Sequence, residues 1–366
     1  MSAILYYITG HGYGHAVRSD QVILALRKAR PHTQIHVRTT APEWLFGHRS
    51  EAICYSRQAI DVGIIQKDSL EMDLGKTLEA CRHFYGAADA IVKQELSFIS
   101  QNDIKLIVGD TPPLAFEIAA RGGIPSVALS NFSWDEIYRA YRADYPGFDA
   151  IVEQITAYYQ KTTLALTLPY PCDMTIFPCR EKITWVARTS RLTKEQARTK
   201  FGLPHDAQII LLSFGGLGLN RLSWDQFKRL GDFYFVTTGD REITNGNLCV
   251  LSDTQSHYED LVQAVDAIVT KPGYGIVADV LAHRLPMLYT DRGDFPEYPR
   301  LIKALRECAT AEYISQAELL SGNIAPSLNS LLSKPPTWPL VRLNGATVAA
   351  EKILQLFDQQ REPPCL

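Results

Sequence analysis

Residues 3–19 read "AILYYITGHGYGHAVRS", an apolar run that leads into three glycines and two histidines within six positions. An apolar run without polar alternation is typical of a strand in a parallel sheet that is covered on both faces. Glycines after such a strand permit a tight turn and a close approach of a ligand to the backbone. A helix that follows presents its free N–H groups at the same edge, where open α/β sheets bind ligands. The stretch therefore predicts a strand–turn–helix unit with a ligand site at its turn.

The same pattern of an apolar strand followed by a helical stretch recurs along the chain of 366 residues. Eight runs show it, four in each half: "AILYYIT", "QIHVRTT", "LIVGD" and "PSVALS", then "QIILLSFGG", "FYFVTTG", "AIVTKPG" and "PMLYTD". Strands that alternate with helices predict parallel sheets, and a chain of this length fits two domains. We therefore expect an α/β protein with two doubly wound Rossmann-like domains that face a cleft.

Prolines mark the boundary between the two halves. Three of them interrupt regular structure within residues 169–178, which we interpret as a linker. The first domain then covers residues 1–168 and the second covers residues 179–343. A last helical stretch, residues 344–366, is expected to pack back onto the first domain.

The composition excludes several classes of partner. A formal net charge of −3 provides no basic surface for a phosphate backbone, so we expect no nucleic acid partner. No apolar run approaches the roughly 18 residues that span a bilayer, and the amino terminus lacks the features of a signal peptide. The seven cysteines are scattered and form no zinc pattern. These features predict a cytoplasmic protein without a structural metal.

Three glycine turns have the form of a ligand site: the opening stretch, "SFGGLGLN" at 213–220 and "TKPGYGIVAD" at 270–279. In the first turn, Gly10, Gly12 and Gly14 fall short of the dinucleotide fingerprint, and no acidic residue follows the second strand. Arg38 lies there instead, which leaves NADP binding through a 2′-phosphate open. The P-loop pattern is absent.

Two polar residues lie next to these turns. His15 begins the first helix, where the helix dipole favours a neutral ring, so it is either a general base or a helix cap. Asp279 lies within the helix after the third turn, about one turn of helix past the glycines. It is placed either to accept the ribose hydroxyls of a nucleotide or to face solvent as an ordinary helix acid.

Taken together, these motifs resemble the GT-B glycosyltransferases, two-lobed enzymes that use nucleotide sugars, and the resemblance covers nearly the whole chain. "VDAIVTKPGYGIVADVLAHRLPML" is similar to their donor-binding segment, and "GYGHAVRS" is similar to their acceptor-side glycine–histidine turn. The segments "DVGIIQKDSLEMD" and "GDTPPLAFEIAARGGIPSVALSNFSWDEIY" bring the chain closest to the glycosyltransferase-like amino-terminal part of L-arabinokinases. The Gly/Ser-rich ATP loop of the kinase part of those proteins is absent, so we predict no kinase.

The resemblance implies roles for individual residues. His15 corresponds to the general base and Asp110 to the acid that orients it; Asp110 could instead cap a helix that begins near Pro112 or Pro113. Contacts to the donor are implied for Gly215, Gly216, Gly218, Lys271, Gly273, Tyr274, Gly275, Asp279, Asp294 and Glu297. Instead of contacting the donor, Lys271 could be a solvated loop residue and Asp279 could be an exposed acid on a helix. An acceptor side is expected from Gly12, Gly14, Arg18, Asp61, Gln66, Asp68, Asn131 and Trp134.

The acceptor-side segments allow more than one interpretation. Arg18 either reaches a phosphate or lies at the surface. Six aromatic residues lie between 132 and 148. Their faces could bind a sugar ring, they could form an ordinary stripe of helix packing, or they could make a weak contact with a membrane surface. His11 is interpreted as a turn residue without a role of its own.

The sequence thus predicts a hexosyltransferase-like enzyme that moves a sugar from a nucleotide-diphosphate sugar, with UDP favoured, to a small-molecule or glycan hydroxyl. The resemblance implies an inverting reaction without a metal or other cofactor, because glycine turns and helix dipoles hold the leaving group. Two alternatives remain: a sugar-nucleotide binding or regulatory module without catalysis, and an epimerase or hydrolase of the same fold.

Overall fold

The computed structural model describes residues 2–46, 53–67, 71–214, 224–252 and 257–360, and they form two lobes. Within these residues each lobe is built on one sheet of seven strands. All eight apolar runs of the sequence form strands, and four of these strands are wholly buried. The prediction of an α/β protein with two doubly wound lobes is confirmed.

The first lobe has a sheet in the strand order β3-β2-β1-β4-β5-β6-β7, and all of its pairs are parallel. Its strands are β1 (Ala3–Ile8), β2 (Gln34–Thr39), β3 (Ile53–Arg57), β4 (Ile104–Asp110), β5 (Ser126–Ser130), β6 (Leu164–Thr167) and β7 (Arg180–Lys182). Its helices are α1 (Tyr13–Ala29), α2 (Leu74–Gly86), α3 (Ala88–Gln101), α4 (Leu114–Gly122), α5 (Trp134–Arg139) and α6 (Phe148–Tyr159), with a 3-10 turn at Glu43–Leu45. Because β1 and β4 are neighbours, their carboxyl ends meet at the edge where α1 begins.

The second lobe repeats this plan in the order β10-β11-β9-β8-β12-β13-β14, where only β10 is antiparallel to its neighbour. Its strands are β8 (Ile209–Ser213), β9 (Tyr234–Thr238), β10 (Ile243–Asn245), β11 (Leu248–Leu251), β12 (Ala267–Thr270), β13 (Met287–Tyr289) and β14 (Ala311–Tyr313). Its helices are α7 (Lys194–Lys200), α8 (Trp224–Phe227), α9 (Tyr258–Ala264), α10 (Tyr274–His283), α11 (Tyr298–Cys308), α12 (Gln316–Ser321) and α13 (Ala325–Ser333). The third glycine turn of the sequence joins β12 to α10.

The boundary between the lobes differs from the one the prolines predict. Strand β7 pairs with β6 of the first sheet, with Ala165 opposite Arg180. The preceding segment also belongs to the first lobe, because Met174 and Phe177 are buried against Phe116. The predicted start of the second domain at residue 179 is therefore wrong, and the first lobe extends at least to residue 182.

Two adjacent chain segments connect the lobes. The outgoing segment follows β7, and the returning segment precedes α14 (Gly345–Gln359). They are hydrogen-bonded to each other, since the Trp185 N–H donates to the Arg342 carbonyl at 3.2 Å and the Gly345 N–H donates to the Trp185 carbonyl at 2.9 Å. Helix α14 then packs on α1 and β4 of the first lobe with its buried face of Ala349, Ile353 and Phe357.

Candidate functional site

The amino termini of two helices meet in the cleft between the lobes. Helix α1 begins at Tyr13 in the first lobe and α10 begins at Tyr274 in the second. A Cβ atom placed on Gly275 would lie 3.4 Å from Gly14 Cα, so the two glycine turns are nearly in contact. Both helix dipoles direct their positive ends at this point, which favours an anionic group there.

His15 and Asp110 form a buried pair beside this point. His15 lies in the first turn of α1 with 8% of its surface exposed, and Asp110 ends β4 with none exposed. His15 Nδ1 lies 2.8 Å from Asp110 Oδ1. The capping alternatives are wrong for both residues, because Gly12 is the N-cap of α1 and no side chain caps α4. The structure therefore brings together the two residues that the resemblance pairs.

Three further hydrogen bonds hold the Asp110 carboxylate. Arg18 donates from Nε to Oδ2 at 2.7 Å and from Nη2 to Oδ1 at 2.5 Å, and the Ser19 hydroxyl donates to Oδ2 at 2.8 Å. Burial by itself would raise the pKa of Asp110, but the charges of Arg18 and His15 and the hydrogen bonds with these two residues lower it to about 2. Asp110 is therefore ionised throughout the neutral range. Arg18 is 2% exposed, so its interpretation as a surface residue is wrong.

The ionised carboxylate determines the tautomer of His15. An unprotonated Nδ1 facing the Asp110 oxygen would be repelled by it, so Nδ1 carries the proton and Nε2 remains the proton acceptor. Arg18 Nη2 also lies 3.0 Å from the same nitrogen, but its shorter hydrogen bond, 2.5 Å long, goes to Asp110 Oδ1. Burial and the Arg18 charge lower the pKa of His15 below its ordinary 6.5, against the Asp110 carboxylate, which raises it. The ring is thus an oriented neutral base.

A chain of hydrogen bonds runs from this pair into the second lobe. Arg18 Nη1 donates to Asn131 Oδ1 at 2.8 Å, and Asn131 Nδ2 donates to Glu297 Oε1 at 2.7 Å. Arg292 donates to the other oxygen of Glu297 at 2.6 Å. Asn131 and Glu297 are both buried. Asn131 and Glu297 thus form a connection between the lobes, and their predicted roles at the acceptor and at the donor sugar stay predictions.

Asp279 is held inside the second lobe. It is 1% exposed and forms an ion pair with Arg188, while its backbone carbonyl lies 2.8 Å from His283 Nδ1. Its interpretation as a solvent-facing helix acid is therefore wrong, and a role at the ribose requires Arg188 to share the carboxylate. Arg188 was not predicted, because it lies 91 residues away in the sequence.

The remaining donor-side residues differ in their surroundings. Lys271, Gly273 and Gly275 are half-buried in the third glycine turn, where their predicted contacts stay predictions. Asp294 is exposed, and its carbonyl accepts a hydrogen bond from Tyr141 at 3.0 Å across the cleft. The Tyr274 side chain is buried against Trp185, with ring centroids 5.0 Å apart, and its ring centroid lies 5.2 Å from the Arg18 guanidinium carbon. The predicted residues Gly215, Gly216, Gly218 and Asp68 lie outside the described residues.

The acceptor-side predictions are partly wrong. Gly12 and Gly14 are exposed in the cleft, and Gln66 is half-buried in a bridge with Met72. Trp134 is fully buried and donates from Nε1 to Asp61 at 2.8 Å, so its face is not available to a sugar. Burial raises the pKa of Asp61 to about 6, against the hydrogen bonds from Thr9 and Trp134.

The aromatic stretch forms part of the core of the first lobe. Five of its six rings are buried, which makes the packing interpretation correct and the interpretations as a sugar platform or membrane contact wrong: Phe132, Trp134, Tyr138, Tyr141 and Phe148. Arg38 is likewise buried in an ion pair with Glu95, which removes it from any cofactor phosphate.

Among the described residues, no group of three or more His, Cys, Asp or Glu side chains is placed to hold a metal ion. Of the helices in the described ranges, none has the length and apolar character needed to cross a membrane.

Solved structures similar to this chain share its two-lobed architecture. The glycotransferase of kitacinnamycin matches over 98% of this chain and 94% of its own, with a TM-score of 0.62 and 19% identity. UGT89C1 of Arabidopsis thaliana, solved with quercetin, covers 98% of both chains with a TM-score of 0.61 and 14% identity. UGT2 of Phytolacca americana, solved with UDP-2fluoro-glucose and pterostilbene, covers 98% and 95% with a TM-score of 0.59 and 11% identity. The chain has the GT-B fold.

A curated relative is similar to this GT-B chain over nearly its whole length. L-arabinokinase of Arabidopsis thaliana is 29% identical over 355 residues, which are 96% of this chain. The chain spans about a third of that relative, 34% of its length. No protein-family model matches the chain. The predicted resemblance to GT-B glycosyltransferases and to part of an arabinokinase is confirmed at this level.

His11 is a further residue of the GT-B cleft whose surroundings sequence reasoning missed. Its ring is half-buried between the lobes, with Phe295 of the second lobe stacked at 6.0 Å and the Trp134 edge at 5.2 Å. The only signal in the sequence was its place between two glycines of the turn. A contact made by a residue 284 positions later, Phe295, leaves no local pattern.

Proposed function

We propose that this protein is a glycosyltransferase that moves a sugar from a nucleotide-diphosphate sugar to a hydroxyl acceptor. The observation that carries the proposal is the buried His15–Asp110 pair where two helix amino termini meet between the lobes. This reaction requires a base that removes the acceptor proton and a site that stabilises the anionic leaving group, and the pair and the helix termini provide both. The UDP sugar bound by a protein of the same fold supports UDP as the nucleotide.

In the proposed reaction, His15 Nε2 removes the proton of an acceptor hydroxyl as its oxygen attacks the anomeric carbon. The bond from that carbon to the diphosphate oxygen breaks, and the diphosphate leaves with the electron pair. Asp110 stays ionised and stabilises the imidazolium that forms on His15. Attack from the face opposite the leaving group gives inversion, which NMR of the anomeric proton in the product tests.

The leaving diphosphate is assigned to the positive ends of α1 and α10. Lys271 belongs to the third glycine turn, and Arg292 Nη1 lies 3.5 Å from the Pro272 carbonyl of that turn. Both charges lower the pKa of His11, an effect second to that of burial. Backbone N–H groups, helix dipoles and these cations support a reaction in which no metal is needed at the phosphates. Full activity in the presence of EDTA would be the expected result.

The test is release of the nucleoside diphosphate from a panel of UDP, GDP and dTDP sugars, with flavonols and simple sugars as acceptors. We expect His15→Asn to lose about a hundredfold to ten-thousandfold in kcat, because the base is absent. His32→Asn is the matched control, since His32 is an exposed histidine just after α1. Equal release by His15→Asn and the wild type would contradict the role of His15.

One observation favours a second candidate, a sugar-nucleotide binding module without catalysis. Two acidic residues expected at the donor, Asp279 and Glu297, are already occupied by Arg188 and Arg292. Calorimetry distinguishes the candidates: tight binding of a nucleotide sugar with no turnover against any acceptor supports the module. A change in the sugar without an acceptor would indicate an epimerase.

A further inference from the structure

The His11 ring is fixed in one tautomer by the backbone. The Ile64 N–H donates to His11 Nδ1 at 3.2 Å, so Nδ1 is the acceptor and the ring proton lies on Nε2. Within the described residues, no hydrogen bond reaches Nε2. His11 and His15 therefore present opposite functions from one turn, because Nε2 of His11 is a donor and Nε2 of His15 is an acceptor.

The segment that carries Ile64 is closely fitted to His11. Gly63 has a φ of 68°, and a Cβ atom there would lie 2.7 Å from His11 Cβ, so only glycine allows this approach. The Tyr138 hydroxyl donates to the Gly63 carbonyl at 3.0 Å and fixes the segment to α5. This packing, together with the Phe295 and Trp134 rings, holds the orientation of His11.

The surroundings of His11 keep it neutral and favour an anion. Burial lowers the pKa of His11 well below its ordinary value, and the Arg292, His15 and Lys271 charges add to this effect. Arg292 and Lys271 belong to the second lobe, on the side of the third glycine turn. Arg292 is already paired with Glu297, but the positive ends of α1 and α10 meet beside His11, and an anionic oxygen held there would accept the Nε2 proton in a hydrogen bond.

We propose that His11 is a second catalytic histidine, which donates a hydrogen bond from Nε2 to an oxygen of the donor's diphosphate. This proposal rests on the proposed function and assigns the leaving group, rather than the acceptor, to this side of the turn. No proton is transferred from His11. It stabilises the charge that develops on the diphosphate as the bond to the sugar breaks.

The test compares three variants by calorimetry. His11→Asn keeps an oxygen that accepts from the Ile64 N–H but has no donor at the place of Nε2, whereas His11→Gln places an amide N–H there. His32→Asn is the control at an exposed histidine. The probe is whichever of UDP, GDP, dTDP and ADP the wild type binds most tightly, and its nucleoside is the comparison ligand.

We expect His11→Asn to weaken binding of the nucleoside diphosphate by about tenfold to a hundredfold and to leave nucleoside binding unchanged. His11→Gln should retain most of the affinity for the diphosphate. Unchanged diphosphate binding by His11→Asn would overturn the role of His11 alone, and so would an equal loss for diphosphate and nucleoside. A wild-type protein that binds none of the four diphosphates would overturn the proposed function, and this proposal with it.

Discussion

Replacing Asp110 by Asn should separate the stabilising role of this carboxylate from its proposed catalytic role. The carboxylate is fully buried and accepts four hydrogen bonds, two of them from Arg18. An amide of the same shape keeps one acceptor oxygen but removes the negative charge. Arg18 is then a buried cation without its counter-ion, and His15 loses the group that fixes its tautomer.

The magnitude of the stability effect follows from the pKa. The pKa of Asp110 is lowered from 3.8 to about 2, and each pKa unit corresponds to about 1.4 kcal/mol, so ionised Asp110 contributes about 2.5 kcal/mol. This contribution is present above pH 3.8 and is lost as the pH falls toward 2. Because removing one partner leaves the other charge buried, we expect Asp110→Asn to cost about 3–5 kcal/mol. Arg18→Met in the same chain should recover part of that loss.

The assay is urea unfolding in parallel with the rate of nucleoside diphosphate release. We expect kcat of Asp110→Asn to fall by about a hundredfold or more even below the unfolding transition, and the double variant to recover stability without activity. The control is Asp103→Asn, an exposed acid at the opposite end of β4, which should leave both measurements unchanged. Wild-type stability and a wild-type kcat in Asp110→Asn would refute the assignment of this pair.

Three further predictions concern the same cleft. The pH profile of kcat/KM should fall on the acid side with an apparent pKa below 6.5, because burial and the Arg18 charge lower the pKa of His15 and only its neutral ring is a base. A fall centred above pH 6.5 would contradict this. Asn131→Leu should cost about 2–5 kcal/mol in urea unfolding, because it leaves hydrogen-bonding groups of Arg18 and Glu297 unpaired. Gly63→Ala should cost about 1–3 kcal/mol in the same experiment, since the φ of Gly63 is 68°. An unchanged urea midpoint for Asn131→Leu or for Gly63→Ala would contradict the corresponding prediction.

The fold was predictable where strands are apolar along their whole length. The eight runs that become strands lie in the middle of the sheets, where both faces are covered. The strands that sequence reasoning missed are short and lie toward the sheet edges. Strand β7 reads "REK" and its residues are half-buried or exposed, so the sequence has no hydrophobic pattern there. The strand forms through backbone pairing with β6. The misplaced domain boundary follows from that strand.

The site was predictable where a local motif and a resemblance agreed. Asp110 ends the buried strand β4 and His15 lies in the first turn of the helix after the buried strand β1, and these neighbouring parallel strands bring their ends together. The arginines were not predictable in the same way. Arg188 and Arg292 determine what Asp279 and Glu297 do, yet a charged side chain in a loop carries no sign of which acid it will meet.

The paired connection between the lobes limits how the cleft opens. Two segments that run side by side and are joined by hydrogen bonds resist twisting about their common axis more than a single segment would. We therefore expect the lobes to move mainly by bending at this connection, so that Gly14 and Gly275 separate and approach along one direction. A ligand that enters the open cleft would then meet the same alignment of the two helix termini at every closure.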